Sequence, residues 1–134
     1  MSHIVLVDDY KAFLRGLKLM VQEIPEVTMI NEAGNGVQFL ELIRNTKPDL
    51  VFLDIRMPDI NGIELAREAM ILHPDIRIII LTMYGEEQYL DEARAAGVKG
   101  FLLKPPSLLQ ISEAYTAVME GGEYFPDIRS DIKS

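Results

Sequence analysis

Five polar residues in this chain of 134 could act together in phosphoryl chemistry, since each lies at the end of a short apolar run. They are Asp8, Asp9, Asp54, Thr82 and Lys104. A carboxylate such as Asp54 can act as a nucleophile and form an aspartyl-phosphate intermediate. Close carboxylates repel one another and attract a cation, and hard oxygen ligands favour Mg²⁺ over zinc. Lys104 supplies positive charge for phosphate oxygens, and Thr82 supplies a hydrogen-bond donor.

Each of these residues also has an ordinary structural interpretation. Asp8 or Asp9 could cap the following helix, and Asp54 could merely end its strand. Thr82 could be a β-branched strand residue, and Lys104 could pair with any nearby acid. That all of them meet at one edge by chance is much less expected. The functional interpretation therefore depends on a fold that brings them together.

Strand-like runs alternate with helical patterns along the whole chain. The predicted strands cover residues 4–7, 28–33, 50–53, 76–81 and 101–103. This alternation predicts an α/β fold, with a parallel sheet and helices on both faces. Open α/β sheets bind their ligands outside the carboxyl ends of the strands, so the polar residues are expected to converge at that edge. The second run is more polar than the others and is therefore predicted to be an edge strand.

Local signals mark the beginnings and ends of the predicted helices. Three pairs have the spacing of capping boxes, namely Asn35 with Gln38, Asn61 with Glu64, and Ser107 with Gln110. Gly97 is predicted to end the fourth helix in a left-handed conformation. That helix is expected to begin near Glu86-Glu87. Its acids are predicted to form a solvated helix face rather than a site, namely Glu86, Glu87, Asp91 and Glu92.

The composition limits the classes of protein to which the chain can belong. The net charge of −8 argues against direct binding of nucleic-acid phosphates by this domain. Cysteine is absent, which excludes disulfides and thiolate metal sites. No apolar run approaches the roughly 20 residues of a membrane span, and the N-terminus lacks the pattern of a secretory signal. We predict one cytoplasmic domain at residues 1–122, with residues 123–134 as a tail or the start of a linker to an absent output domain.

With these residues in place, the chain resembles the CheY-like receiver domain of two-component response regulators over about residues 3–122. The pair Asp8-Asp9, the segment 54–62, Thr82 and Lys104-Pro105 all fall in the order typical of that family. The resemblance implies a flavodoxin-like, doubly wound (βα)₅ fold whose five parallel strands have the order 2-1-3-4-5. It also implies that Asp54 receives a phosphoryl group from a sensor histidine kinase. Such a domain assists its own phosphorylation and dephosphorylation and is not an enzyme with an external turnover substrate.

The resemblance also implies a set of metal ligands. Asp9, Asp54 and the backbone carbonyl of Arg56 would bind Mg²⁺, and Asp8 would act mainly through water. In this family the peptide bond between the residues matching Lys104 and Pro105 is usually cis.

A conformational switch is a further hypothesis that follows from the resemblance. Thr82 is expected to turn toward the phosphoryl group, and Phe101 to flip inward and remodel the surface of helix 4, strand 5 and helix 5. The alternative is that Phe101 is permanently buried. Arg56 and Tyr84, which lie two residues beyond Asp54 and Thr82, are predicted to tune phosphate lifetime by controlling water access.

The segment at residues 121–126 resembles the one that leads into the helix-turn-helix domain of NarL/FixJ-type transcriptional regulators. The expected partners are therefore the kinase, a second copy of the chain upon phosphorylation, and DNA through an output domain only, with no membrane. A regulator without an effector domain is the main variant. A haloacid-dehalogenase-like phosphohydrolase is the alternative function. Such enzymes carry their nucleophile in an Asp-x-Asp motif after the first strand, where this chain has Asp8-Asp9-Tyr10. A nucleotide-binding module is less favoured because the first turn lacks the glycine fingerprint.

Overall fold

The computed structural model describes residues 1–83 and 86–126, in which strands and helices alternate. The strands are β1 (Ser2–Val7), β2 (Val27–Ala33), β3 (Leu50–Asp54), β4 (Ile78–Thr82) and β5 (Gly100–Leu103). The helices are α1 (Lys11–Val21), α2 (Gly36–Asn45), α3 (Gly62–Leu72), α4 (Leu90–Ala96) and α5 (Leu108–Met119). A short 3₁₀ turn at Glu87–Tyr89 precedes α4. The α/β alternation predicted from the sequence is confirmed.

The strands form one parallel sheet in the order β2-β1-β3-β4-β5, as the resemblance implied. The polar strand β2 lies at an edge, as predicted. The chain passes from β1 outward to β2 and then returns to β3 on the other side of β1. In open α/β sheets this reversal leaves a crevice at the carboxyl ends of the strands, which here are the ends of β1 and β3.

Strand β3 is buried along its whole length and contributes to both cores of the domain. Val51 and Leu53 pack on the side that α2, α3 and α4 cover. Leu50 and Phe52 pack on the side that α1 and α5 cover. A strand covered on both faces has no solvent side, which explains its unbroken apolar run. The run therefore holds Asp54 on a rigid element.

Among the predicted capping boxes, only that at Ser107 is complete, with the reciprocal hydrogen bond from Gln110. Asn61 does cap α3 by accepting from Ile63 N–H at 2.7 Å. Glu64, however, pairs with Arg67 one turn further along α3, so the predicted box at Asn61 is wrong. An oppositely charged neighbour three residues away on the same helix competes for that carboxylate.

At the start of α2, Asn35 accepts from Gln38 N–H at 2.9 Å. The Gln38 side chain instead accepts from Gly34 N–H at 2.8 Å, so this capping box is also incomplete. At the C-terminal end of α4, Gly97 adopts a φ of 105°. This left-handed conformation, which glycine adopts without a steric penalty, was predicted correctly.

The loop after β3 is fastened to the N-terminus of α2. Asp59 accepts hydrogen bonds from Gly36 N–H at 2.9 Å and Val37 N–H at 3.0 Å. These hydrogen bonds lower the pKa of Asp59 below its usual range, and the bond from Gly36 has the largest effect. The approach is close, because a Cβ atom on Gly36 would lie 2.3 Å from Ile60 Cγ2. Where the loop ends, at the first residue of α3, a Cβ atom on Gly62 would lie 2.4 Å from the backbone oxygen of Asp54.

Residues beyond α5 contact the free edge of β5. Phe101 N–H donates to the backbone oxygen of Tyr124 at 3.1 Å, and Tyr124 N–H donates to that of Lys99 at 2.8 Å. The guanidinium of Arg94 lies 4.7 Å from the centre of the Phe125 ring. The predicted domain boundary at residue 122 stays a prediction, but the segment after it is attached to the sheet. None of the helices in the described residues has the length and apolar character of a membrane span.

Candidate functional site

The carboxyl ends of four strands bring the predicted site residues to one edge of the sheet. Asp54 is the last residue of β3 and Thr82 the last residue of β4. Asp8 directly follows β1, and Lys104 directly follows β5. Lys104 N–H donates to the backbone oxygen of Thr82 at 2.8 Å, which continues the β4–β5 pairing as far as the site. The parallel topology thus assembles residues that are far apart in sequence.

The ammonium group of Lys104 lies between two buried carboxylates. Its Nζ atom is 2.6 Å from Asp8 Oδ2 and 3.0 Å from Asp54 Oδ1. The same atom lies 4.5 Å from the centre of the Phe13 ring, within the range of a cation–π contact. The other oxygen of Asp8 accepts from Tyr10 N–H at 2.9 Å. These contacts hold Lys104 directly beside the predicted phosphoacceptor.

Asp8, Asp9 and Asp54 each offer a carboxylate oxygen, and these oxygens lie within 4.8 Å of one another. Asp8 and Asp54 are buried, whereas Asp9 is exposed. We call these three aspartates together with Lys104 the acidic centre. Its hard oxygen donors, with one side open to solvent, suit an ion such as Mg²⁺, which keeps several waters and uses few carboxylates. The donor set therefore fits the predicted metal.

The pKa of Asp54 is raised to about 6, chiefly because the side chain is buried. Lys104 lowers this pKa, but not enough to cancel the effect of burial, and the nearby charge of Asp8 raises it further. One ammonium group does not neutralise three carboxylates. A raised pKa of this kind, next to a charged partner and at the edge where ligands bind, is typical of a functional carboxylate.

Thr82 is buried, and its hydroxyl faces a second acid. Thr82 Oγ1 donates to Glu86 Oε1 at 3.2 Å, and Met83 N–H donates to the same oxygen at 2.9 Å. Arg56 donates from Nε to the other oxygen, Glu86 Oε2. We call Arg56, Thr82, Met83 and Glu86 the Glu86 cluster. It joins the residue that ends β4 to a residue two positions beyond Asp54.

Glu86 is only 2% exposed, so the prediction that it belongs to a solvated helix face is wrong. The helical turn begins one residue later, and Glu86 precedes it with its carboxylate turned back toward β4. Burial raises the pKa of Glu86, but the hydrogen bonds from Arg56, Met83 and Thr82 lower it by more than burial raises it. The net shift is therefore downward. Glu86 in turn raises the pKa of the exposed Arg56 side chain. No local periodicity of the sequence links these residues.

The predicted switch and tuning residues have different outcomes. The Phe101 ring has no exposed area and packs in the core under α2, α3 and α4. The switch hypothesis needs that ring outside before phosphorylation, yet this structure holds it inside. The Arg56 side chain is exposed and pairs with Glu86, and Tyr84 lies outside the described residues. The peptide bond between Lys104 and Pro105 is cis, as the resemblance implied.

A flavodoxin-like sheet with this acidic centre at the carboxyl ends of its strands defines a class of phosphoacceptor signalling domains. The comparison with protein families agrees, since residues 4–116 match the family described as "Response regulator receiver domain". The chain belongs to this family. The match does not support the phosphohydrolase alternative, in which Asp8 would be the nucleophile; here Asp8 pairs with Lys104.

Among curated proteins, the chain is similar to regulators of transcription. It is 31% identical over 121 residues to the transcriptional regulatory protein DegU of Brevibacillus brevis, covering 90% of this chain and 51% of that protein. It is 34% identical over 121 residues to the DNA-binding transcriptional activator DevR/DosR of Mycobacterium tuberculosis, covering 90% of this chain and 56% of that protein. The chain thus spans about half the length of the curated relatives it matches.

Solved structures show the same fold. A two-component response regulator of the LuxR family from Aurantimonas sp. SI85-9A1 superposes with a TM-score of 0.89 at 28% identity, covering 99% of this chain and 96% of that chain. A CheY-like receiver domain protein from Methanospirillum hungatei JF-1 superposes with a TM-score of 0.82 at 25% identity, covering 90% of this chain and 94% of that chain.

Proposed function

We propose that Asp54 is the phosphoacceptor of a two-component signalling switch. The observation that carries this proposal is the position of Lys104 Nζ, within 3.0 Å of Asp54 and 2.6 Å of Asp8. A carboxylate oxygen of Asp54 attacks the phosphorus of a phosphohistidine on a sensor kinase. A P–O bond forms as the P–N bond breaks, and the electron pair of that bond returns to the imidazole. The domain is a signalling domain and not an enzyme that turns over an external substrate.

The remaining residues of the acidic centre stabilise the transferred group. Asp9, Asp54 and the backbone carbonyl of Arg56 would hold Mg²⁺, with Asp8 acting mainly through water. The ion offsets negative charge on the phosphoryl oxygens when it is bound. Lys104 offers a fixed positive charge to one of those oxygens. The hydroxyl of Thr82 can donate to another after a change in its hydrogen bond. Positioning and charge stabilisation of this kind are most of what phosphoryl transfer needs from a protein.

The switch and its tuning are part of the same proposal. Thr82 turns toward the phosphoryl group, and Phe101 and the surface of α4, β5 and α5 respond. In this proposal the Phe101 ring samples an outer position before phosphorylation and stays inside afterwards. The side chains of Arg56 and Tyr84 limit water access to the aspartyl phosphate and so set its lifetime.

We also propose that the protein is cytoplasmic and that the output of the switch is transcriptional. Support comes from the relatives, two of which are named as regulators of transcription and are about twice as long as this chain. In that arrangement an output domain outside residues 1–134 contacts DNA, and phosphorylation promotes a homodimer. The backbone hydrogen bond between Phe101 and Tyr124 connects β5 to the segment that would lead into such a domain, so a change at Phe101 could be transmitted to it.

Incubation with acetyl phosphate and Mg²⁺, followed by intact mass spectrometry, tests the phosphoacceptor. The wild-type chain should gain one phosphoryl group, and Asp54→Asn should gain none. Asp59→Asn is the matched control, because Asp59 is an exposed aspartate on the loop that follows Asp54. It should be labelled like the wild type. Chelation of Mg²⁺ should abolish labelling. The proposal is wrong if Asp54→Asn is labelled as readily as the wild type, or if the wild type is not labelled.

A further inference from the structure

Glu86 is a buried acid outside the acidic centre. In the described residues the buried carboxylates are Asp8, Asp54 and Glu86, and the first two contact Lys104. Both oxygens of Glu86 are occupied by donors on three other residues. The proposed function directs one of those donors, the Thr82 hydroxyl, toward the phosphoryl group on Asp54, and it assigns the Arg56 side chain to limiting water access there. Glu86 therefore binds two groups that act at the phosphorylated aspartate.

The Thr82 hydroxyl has a single hydrogen, so it can donate either to Glu86 or to the phosphoryl group, but not to both. A phosphoryl group brings a charge of about −1.5 to −2 and three acceptor oxygens. It is a strong competitor for the hydroxyl. The third donor, Met83 N–H, can remain on Glu86 Oε1 when the hydroxyl leaves, since it approaches the same oxygen independently at 2.9 Å. The carboxylate then keeps a hydrogen bond in both states.

We propose that Glu86 is a positioning residue that holds Thr82 and Arg56 away from Asp54 in the unphosphorylated chain. The phosphoryl group must displace these contacts, so Glu86 sets part of the free-energy difference between the two states of the switch. This role rests on the proposed phosphorylation of Asp54 and deepens it. A purely structural role, in which Glu86 only orders the turn before α4, would change stability without changing the balance between the two acceptors.

The test measures the affinity for beryllofluoride, a phosphoryl mimic, in the presence of Mg²⁺. In Glu86→Ala the competing acceptor is removed, and binding should be about tenfold tighter, the effect of one charge-assisted hydrogen bond of about 1.4 kcal/mol. Glu86→Gln keeps an acceptor oxygen but loses the charge, so its binding should be intermediate, at about threefold tighter. It also serves if Glu86→Ala does not fold, which thermal unfolding reports.

Glu92→Gln is the matched control, because Glu92 is an exposed acid on α4. It removes the same charge and should bind within about twofold of the wild type, as expected for an exposed ion pair. A second control repeats Glu86→Ala in a Thr82→Ala/Arg56→Ala background. There the gain should fall below about twofold, since the contacts through which Glu86 acts are gone.

Unchanged or weaker beryllofluoride binding in both Glu86 variants would overturn the role of Glu86. So would an equal gain in Glu92→Gln, or a gain that persists in the Thr82→Ala/Arg56→Ala background. These results are distinct from failure of the proposed function. In that case the wild-type chain itself would bind no beryllofluoride and take no phosphoryl group from acetyl phosphate.

Discussion

The two polar clusters at the carboxyl edge of the sheet treat negative charge in opposite ways. In the acidic centre, three carboxylates lie close together and two of them contact one ammonium group, and the pKa of Asp54 is raised to about 6. In the Glu86 cluster, one carboxylate receives hydrogen bonds from Arg56, Thr82 and Met83, and its pKa is lowered. Both acids are buried, so burial alone does not explain the difference. The balance of donors and neighbouring charges does.

This difference indicates what each cluster contributes. Uncompensated charge in the acidic centre destabilises the folded chain, and the same charge attracts a cation and prepares Asp54 for a phosphoryl group. The compensated charge of Glu86 stabilises the chain and holds the switch hydroxyl in place. Removal of an acid should therefore stabilise the first cluster and destabilise the second. Removal of the Lys104 ammonium group should change the stability of the chain more than any of these substitutions.

Lys104→Met should destabilise the chain by about 3 kcal/mol, because it leaves two buried carboxylates without their ammonium partner. Urea unfolding measures this loss, and added Mg²⁺ should restore part of it, since the ion replaces the missing charge. Lys99→Met, at an exposed lysine just before β5, is the control and should change stability by less than about 0.5 kcal/mol. Equal stability of Lys104→Met and the wild type would mean that the acidic centre is not held together by charge.

Asp54→Asn should stabilise the chain by about 2–3 kcal/mol near neutral pH, from a pKa of about 6 against the ordinary 3.8. Lys104 keeps Asp8 as its partner in this variant. The raised pKa means that the ionised side chain costs stability above about pH 6. That cost decreases as the pH falls from there toward 3.8, because the folded chain then takes up the proton.

The gain from Asp54→Asn should therefore be large at about pH 7.5 and small at about pH 4.5. Thermal unfolding at both pH values measures it. Asp59→Asn is the contrasting control, because the pKa of Asp59 is lowered by the N-terminus of α2. Its substitution should destabilise the chain instead. A destabilised Asp54→Asn at neutral pH would remove the contrast between the two clusters.

Glu86→Gln should destabilise the chain by about 1 kcal/mol, the smallest of these effects, because the ion pair with Arg56 becomes a hydrogen bond from the charged guanidinium to a neutral amide oxygen. The effect is limited because the Arg56 side chain is 74% exposed and remains hydrated. Urea unfolding measures it against Glu92→Gln, which removes an exposed acid. If Glu86→Gln is more stable than the wild type, the carboxylate is strained in the manner of Asp54, and the comparison between the clusters fails.

The acidic centre was predictable because strand topology alone places its members. The apolar run of β3 ends at Asp54, and the parallel order of strands puts Asp8 and Lys104 at the same edge. The Glu86 cluster was not predictable in this way. Glu86 lies in a connection after β4, and its partner Arg56 lies in the connection after β3. No strand or helix period relates two loops, so the charge of Glu86 was assigned to solvent.

Local competition explains the smaller errors. Asn61 has the correct residue type for a cap, but Glu64 is drawn to Arg67 rather than back to the start of α3. Asn35 likewise caps α2, but the Gln38 side chain accepts from Gly34 N–H instead of reaching back to Asn35 N–H. In both cases the residue type was informative, while the contact depended on neighbours that the local pattern does not specify.

The sequence by itself determined the alternation of strands and helices, the polar edge strand and the convergence of five polar residues at one end of the sheet. These depend on the period of apolar residues and on the geometry of parallel strands, which act over short stretches of chain. Only the tertiary structure decided the distances within the acidic centre, the burial of Glu86, the inward Phe101 ring and the contact of Tyr124 with β5. Those depend on which loops and side chains meet in space. Burial and the neighbouring donors and charges then raise the pKa of Asp54 and lower that of Glu86.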